Sequence, residues 1–552
     1  MSQAVLTIDD LRIHVANSEG RAIVKGVSFQ VMPGETVCVV GESGSGKSVT
    51  AFSAMGLLPP DELRCTGGRI LIEGENVLEA SPERLRELRA TRMAMVFQEP
   101  MTALNPVEKV GWQIDEVLRL HTPGTKAQRR EQVLEMLRSV HMPNPAQTYE
   151  AYPHQLSGGQ RQRVVISMAL ILKPKLLIAD EPTTALDVTT QKQILALIRE
   201  LQDRHGTAVL FITHDFGVVA EIADRVVVMN KGEVVEVGTR DDILMRPSQA
   251  YTRALVSAVP SLVPEARSPV EGAIVLETAR LNKTYGDKRW FGRGRRVAAA
   301  QDIDLSLRRG EILGIVGESG SGKSTVARCI VRLQDPTSGS ILIHGEDIAS
   351  TRGQALRAMR QRVQIVFQDP YRSLNPRLSV GESIIEGLIN HGMPRPEALE
   401  RARALVESVG IDAGLLARYP HQFSGGQRQR ICIARALALE PDILVADEAV
   451  SALDVSVQAQ VLTLLLDIRE RTGVAILFIT HDLRVAAQIC DTIMVLQHGR
   501  MVEKGPAAQV LTAPAQSYTT SLIEAAPGRA WDFKNFRQLA HDATILHAGA
   551  TS

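Results

Sequence analysis

Thr36-Val37-Cys38-Val39-Val40-Gly41-Glu42-Ser43-Gly44-Ser45-Gly46-Lys47-Ser48 is a short apolar run that breaks into a glycine-rich loop ending in Lys-Ser. It reads as a strand entering a loop that opens a helix. The glycines let backbone N–H groups converge on phosphate oxygens, and the helix start adds positive potential. Lys47 is spaced to reach β- and γ-phosphates, and Ser48 to ligand Mg²⁺. A single such match could be a glycine turn with a surface lysine. The pattern recurs, however, as Ile312–Val316 followed by Gly317-Glu318-Ser319-Gly320-Ser321-Gly322-Lys323-Ser324. The candidate nucleotide contacts in the two loops are Gly41, Ser43, Gly44, Gly46, Lys47, Ser48 and Val49, and Gly317, Ser319, Gly320, Gly322, Lys323, Ser324 and Thr325.

The loops belong to a longer repeat. Gln98 recurs as Gln368, Ser157 as Ser424, Asp180 as Asp447 and His214 as His481, the last three at one offset of 267 residues (424 − 157, 447 − 180, 481 − 214). A repeat of this length is a duplicated domain rather than a solenoid unit. The expected organisation is a first domain over 1–258, a linker over 259–272, a second domain over 273–526 and a C-terminal tail over 527–552. The linker is polar and Pro-rich, so an extended conformation is expected. The tail has weak periodicity and is assigned no structure. Each copy reads as α/β, with apolar runs such as Leu176–Ala179 and Val209–Thr213 as buried parallel strands. Segments 108–155 and 380–422 carry Leu, Arg and Glu at helical spacing and read as an inserted helical subdomain.

Apolar runs also end in paired carboxylates, Asp180-Glu181 and Asp447-Glu448. The first of each pair fits a Mg²⁺ ligand and the second a general base that polarises water. Alone, such a pair is more often a helix cap; the phosphate loops upstream favour the catalytic reading. Composition sets the outer limits. The chain has 552 residues, 44% hydrophobic content and zero formal net charge, which removes any global electrostatic case for nucleic acid. Five cysteines are scattered without metal-ligand spacing, and no apolar stretch is long enough to span a bilayer. The N-terminus has no apolar signal core.

Between each phosphate loop and its Asp-Glu pair lies Ser157-Gly158-Gly159-Gln160 or Ser424-Gly425-Gly426-Gln427. With the three motifs in this order, the chain resembles ABC-type ATPases over nearly all of both copies. The resemblance implies two tandem P-loop ATPase domains, each with a RecA-like core, an antiparallel β subdomain and a helical subdomain, forming a head-to-tail pseudo-dimer. It implies ATP and Mg²⁺ as cofactors. Ser157, Gly158, Gly159, Gln160, Ser424, Gly425, Gly426 and Gln427 would be signature residues gripping a γ-phosphate presented by the other copy. An N-capped helix start is the simpler reading of the same residues, and the two coexist. Gln98 and Gln368 would be Q-loop residues contacting Mg²⁺, completing metal sets of Ser48, Gln98 and Asp180 and of Ser324, Gln368 and Asp447. Glu181, His214, Glu448 and His481 would be catalytic. Thr184 to Asp187 and Ser451 to Asp454 would be D-loops. Tyr285 fits the aromatic that stacks on adenine; its counterpart is Val15, leaving His14 as the nearest ring in site one.

Met101-Thr-Ala-Leu-Asn-Pro106, Tyr371-Arg-Ser-Leu-Asn-Pro376 and Glu448-Ala-Val-Ser-Ala-Leu-Asp-Val-Ser456 look like the oligopeptide, dipeptide and nickel importer group. The "D" and "F" ATPase types of those systems would here be fused. This implies an ATP-hydrolysing subunit on the cytoplasmic face of the inner membrane. Its partners would be two integral membrane permeases, a periplasmic or lipid-anchored solute-binding protein and the membrane surface, without nucleic acid. The basic-aromatic stretch 288–296 is either a lipid-headgroup contact or a solvated hairpin. Neither 259–272 nor 527–552 contains Cys, so no iron–sulfur cluster is expected. The rival readings are a tandem ATPase acting on ribosomes or RNA, which would favour a long charged helical linker, and the ATPase of a sugar importer.

Overall fold

The computed structural model describes residues 3–16, 20–98, 103–184, 186–265, 267–286, 296–451 and 453–539. Most of the basic-aromatic stretch 288–296, and Met101 and Thr102, lie outside them. The chain divides into two units, Met1–Val259 with Phe533–Gln538, and Pro260–Asp532 with Leu539–Ser552.

In the first unit, β1 (Leu6–Val15), β2 (Ala22–Val31), β4 (Leu63–Ile72) and β5 (Glu75–Asn76) form an antiparallel sheet in the order β2-β1-β4-β5. A second sheet runs β10-β9-β3-β8-β7-β6. It comprises β3 (Thr36–Val40), β6 (Met93–Val96), β7 (Leu176–Asp180), β8 (Ala208–Ile212), β9 (Arg225–Asn230) and β10 (Glu233–Thr239). The β3, β7 and β8 strands are buried at every residue, as parallel strands covered on both faces require. One apolar cluster joins the two sheets around α1 (Lys47–Ala54).

The inserted region holds α2 (Val110–His121), α3 (Lys126–Ser139) and, after a short helix at Pro145–Glu150 and a single 3-10 turn, α4 (Gly158–Leu170). The α2 helix approaches Tyr149 so closely that a Cβ on Gly111 would lie 2.3 Å from the ring. The unit also holds α5 (Val188–His205), α6 (Phe216–Ile222) and α7 (Ala250–Ser257).

The second unit repeats this plan. Its antiparallel sheet is β12-β11-β14-β15, from β11 (Ile274–Tyr285), β12 (Val297–Arg308), β14 (Ser338–Ile343) and β15 (Glu346–Asp347). Its mainly parallel sheet is β16-β17-β18-β13-β19-β20. The strands are β13 (Ile312–Val316), β16 (Val363–Val366), β17 (Ile443–Asp447), β18 (Ala475–Ile479), β19 (Thr492–Gln497) and β20 (Arg500–Pro506). Its helices include α8 (Lys323–Ile330), α9 (Val380–Asn390), α10 (Arg395–Ser408), α11 (Gly425–Leu437), α12 (Val455–Thr472), α13 (Leu483–Ile489) and α14 (Ser517–Ala525).

One reading of the flanking segments changes. The tail, assigned no structure from sequence, contains ordered backbone in two short strands, β21 (Trp531–Asp532) and β22 (Arg537–Gln538). Its cause is burial: Trp531 and Phe533 are 4% and 1% exposed, enough apolar area to fix a segment without periodicity. The connecting segment, expected to be extended, has no helix or strand among its described residues. Arg267 donates to the Gln488 and Ile489 carbonyls. Among the described residues, no helix is long and apolar enough to cross a membrane.

Candidate active sites

Both phosphate loops lie where a parallel strand ends and a helix begins, at the carboxyl edge of the sheet, the usual ligand position in such folds. Gly41 and Gly317 turn the chain with φ of 149° in each loop, and a Cβ there would lie 2.1 Å from the Met229 carbonyl and 2.3 Å from that of Leu496. Gly46 and Gly322, at φ 99° and 105°, begin α1 and α8 without any side-chain cap. The first N–H groups of these helices are therefore left for an anion. Lys47 Nζ donates to the carbonyls of Gly41 at 2.7 Å and Glu42 at 2.9 Å. Lys323 does the same with Gly317 and Glu318, at 2.8 and 2.9 Å.

The pairing of β7 with β8 sets Asp180 beside Ile212, so the carboxylates and the residues after β8 meet at one sheet edge. Ser48 Oγ donates to Asp180 Oδ1 at 3.1 Å, and Ser324 Oγ to Asp447 Oδ1 at 2.9 Å. His214 Nδ1 lies 3.1 Å from Glu181 Oε1, and His481 Nδ1 lies 3.5 Å from Glu448 Oε1. Both glutamates sit in the left-handed region, at φ 46° and 50°, a conformation that costs a non-glycine residue energy and recurs at functional sites. Thr184 Oγ1 also donates to Glu181 Oε2 at 3.0 Å.

The Q-loop glutamines, expected in the metal sets, meet the second carboxylate of each pair through their amide N–H groups. Gln98 Nε2 donates to Glu181 Oε2 at 2.9 Å and Gln368 Nε2 to Glu448 Oε2 at 2.8 Å. The N–H group is the donor end of each amide, which leaves the side-chain oxygens of Gln98 and Gln368 as the atoms that could join Ser48 and Asp180 or Ser324 and Asp447.

Ser157 and Ser424 are N-caps of α4 and α11. Each hydroxyl accepts from the glutamine N–H three residues on at 3.3 Å, and each glutamine side chain accepts in return at 3.0 Å. This capping box occupies the side-chain carbonyls of Gln160 and Gln427. Gly159 and Gly426 have a packing reason of their own. A Cβ would lie 2.4 Å from Thr190 on α5, or 2.3 Å from Val457 on α12.

The positions expected to meet the base differ between the units. Tyr285 ends β11 with its ring 36% exposed; its hydroxyl bonds Gln334, and Lys283 Nζ lies 5.2 Å from the ring centre. Val15 ends β1, and neighbouring His14 shares a 2.7 Å hydrogen bond with Thr66. One contact escaped the reading of the sequence. Tyr518 on α14 accepts from the Glu318 N–H of the second phosphate loop at 3.4 Å. The signal was present, because Pro247-Ser-Gln-Ala-Tyr251-Thr252 recurs as Pro514-Ala-Gln-Ser-Tyr518-Thr519.

Electrostatics separates the two carboxylates of each pair. Burial pushes Asp180 up to about 6, against the Ser48 hydrogen bond that favours its ionised form. Burial raises Asp447 likewise. Burial works in the same sense on Glu181 and Glu448, but the histidines overcome it and hold both below the usual value. Burial works to lower His214 and His481, and the glutamates overcome it and raise them. Each carboxylate is thus ionised at neutral pH and able to orient water, and it favours the protonated form of its histidine.

Asp180 gives a testable sign. Its folded pKa lies above its unfolded one, so its contribution is fully favourable below the usual carboxylate value and is lost as pH rises through about 6. In nucleotide-free protein at pH 8, Asp180→Asn is expected to gain roughly 1–3 kcal/mol of stability while abolishing hydrolysis. The gain should shrink at pH 5. Thermal melts at both pH values check this, and equal gains would trace the effect to packing.

The matching family model, "ABC transporter", covers residues 24–184 and 300–451. A second, "Oligopeptide/dipeptide transporter, C-terminal region", covers 235–293. The peptidoglycan transport ATP-binding protein YejF of Agrobacterium fabrum is 47% identical over 95% of this chain and 97% of its own length. The glutathione import ATP-binding protein GsiA of Escherichia coli K12 is 45% identical over 95% of this chain and 89% of its own. Among solved structures, the ATP-binding cassette MJ0796 bound to ADP and Pi is 30% identical, covering 42% of this chain and 98% of its own, with a TM-score of 0.38.

Proposed function

The chain belongs to the ATP-binding proteins of ABC transporters, whose activity is ATP hydrolysis, and from this we propose that it energises import of peptides and related small solutes through two partner permeases. The observation that carries the reading is the union of two complete sets of hydrolytic residues with an oligopeptide/dipeptide transporter region in one chain. YejF and GsiA, named for peptidoglycan transport and glutathione import, support a substrate class of short or modified peptides.

In this reading the uncapped starts of α1 and α8, with Lys47 and Lys323, bind the triphosphate. Ser48 with Asp180, and Ser324 with Asp447, would hold Mg²⁺, which supplies charge neutralisation on phosphoryl oxygens. Their hydroxyl and carboxylate oxygens are the hard donors that this ion takes, and ion binding would relieve the cost of burying Asp180 ionised. Glu181 and Glu448 orient the attacking water, each held by its histidine and glutamine. Those glutamines follow Phe97 and Phe367, at the entry to the helical subdomain, so a permease pressing there would reach the water-orienting carboxylate through one hydrogen bond.

The two helical faces differ in chemistry. The first exposes Val107 at 77% and Trp112 at 53%, with Lys109 Nζ 5.7 Å from the indole. Arg377 and Glu382 occupy the matching positions of the second unit. That contrast supports two unlike permeases, with a solute-binding protein delivering substrate outside the membrane and this chain at the cytoplasmic face.

Deleting the chain in its own host is expected to abolish uptake of at least one of labelled dipeptide, glutathione or a peptidoglycan peptide. Restoring the wild type, but not a Glu181→Gln, Glu448→Gln double variant, should recover it. Unchanged uptake of every candidate would sink the peptide reading.

A further inference from the structure

The α13 helix begins two residues after His481, so whatever fixes α13 also fixes the imidazole facing Glu448. Both of its ends are held. At the start, Asp482 accepts from the Arg484 N–H at 2.9 Å. The Arg484 guanidinium pairs with Asp482 at 3.0 Å and donates to the Pro527 carbonyl at 3.4 Å.

At the far end, Arg267 Nη1 donates to the Ile489 carbonyl at 3.0 Å and Nη2 to that of Gln488 at 2.5 Å. These are terminal carbonyls of a helix, where a guanidinium gains from both charge and geometry. The same guanidinium lies 3.6 Å from Asp491, which accepts from the Ile312 N–H at 2.8 Å. Ile312 opens β13, the strand that delivers the second phosphate loop. One arginine thus ties the helix behind His481 to the strand ahead of Lys323.

The first unit builds the same tie from another element: Arg199 lies 3.8 Å from Asp224, which accepts from the Thr36 N–H at 2.8 Å at the start of β3. Gly217 stands where Arg484 does, and the Ile222 carbonyl at the end of α6 is met by Arg199 on α5, at 3.2 Å. Leu466 takes the place of Arg199 in the second unit. The role of an internal helix residue has passed to an arginine on the segment joining the two units in sequence.

We propose that Arg267 is a positioning residue for the second ATP site, holding α13 so that His481 faces Glu448. This rests on reading His481 as a hydrolytic residue; it does not depend on which solute is carried. The test uses the full chain carrying Arg267→Ala or Arg267→Lys, with Arg199→Ala as the reciprocal control.

ATPase is measured in a Glu181→Gln background, which leaves the second site active, and in a Glu448→Gln background, which leaves the first. Arg267→Ala is expected to lower kcat about three- to tenfold in the first background, with KM for ATP unchanged, and to leave the second untouched. Lysine, which keeps the charge, should restore part of the loss and serves if the alanine variant does not fold. Hydrogen exchange should quicken in 483–489 and not in 216–222, a reading that needs neither background. Equal loss in both backgrounds, a loss shared between kcat and KM with a lowered Tm, or unchanged exchange in 483–489 would overturn the proposal. His481→Ala is run beside them. If it leaves hydrolysis intact, the reading of His481 fails, while exchange still judges the clamp.

Discussion

Glu181→Gln and Glu448→Gln are each expected to remove about half or more of the Mg²⁺-ATPase rate, and together to lower it about a hundred- to a thousandfold, the scale of a lost general base. The expectation rests on the matched surroundings of the two residues. Each follows a buried aspartate, is held at positive φ, and meets one histidine and one glutamine. The amide keeps the size and the glutamine and histidine neighbours but cannot take a proton. Nucleotide binding should persist, which separates this loss from misfolding. Steady-state hydrolysis and nucleotide titration of the two single variants and the double variant are the measurements. If either single substitution left the rate unchanged, the claim of two active sites would fail.

Lys47→Ala and Lys323→Ala act one step earlier. Each ammonium is buried, 7% and 5% exposed, and donates to two loop carbonyls. A triphosphate offers it far stronger acceptors, so its swing from carbonyl to phosphate is part of binding. Each substitution is expected to weaken ATP binding at its own loop about a hundredfold, roughly 2–3 kcal/mol, as loss of a charge-assisted contact implies. Titration with a fluorescent ATP analogue should show one tight site in each single variant and none in the double. Unaltered affinity would reduce the lysines to staples of an empty loop.

Much of the molecule was legible along the chain. The phosphate loops, the Asp-Glu pairs and the Ser-Gly-Gly-Gln segments are local patterns, and their chemistry follows from residues a few positions apart. The helical insertions were legible through the helical spacing of their apolar residues. The tail was not, because Trp531 and Phe533 have no period and gain order only by burial. The Q-loop glutamines show the same limit within the site. Their presence near the carboxylates was readable, but which oxygen each amide meets depends on how β6 lies beside β7.

By itself the sequence determined the fold class, the duplication and the phosphate-loop, Ser-Gly-Gly-Gln and Asp-Glu motifs, since these are written in short spacings and in one repeated order. Tertiary structure alone decided the partners of those groups. Glu181 and His214 are joined because β7 pairs with β8, and Asp180 is raised because that pairing buries it. Arg267 reaches α13 across more than two hundred residues of chain. No local pattern encodes such a contact: it exists only once distant strands and helices have been packed side by side, and packing also sets the burial that shifts each charge.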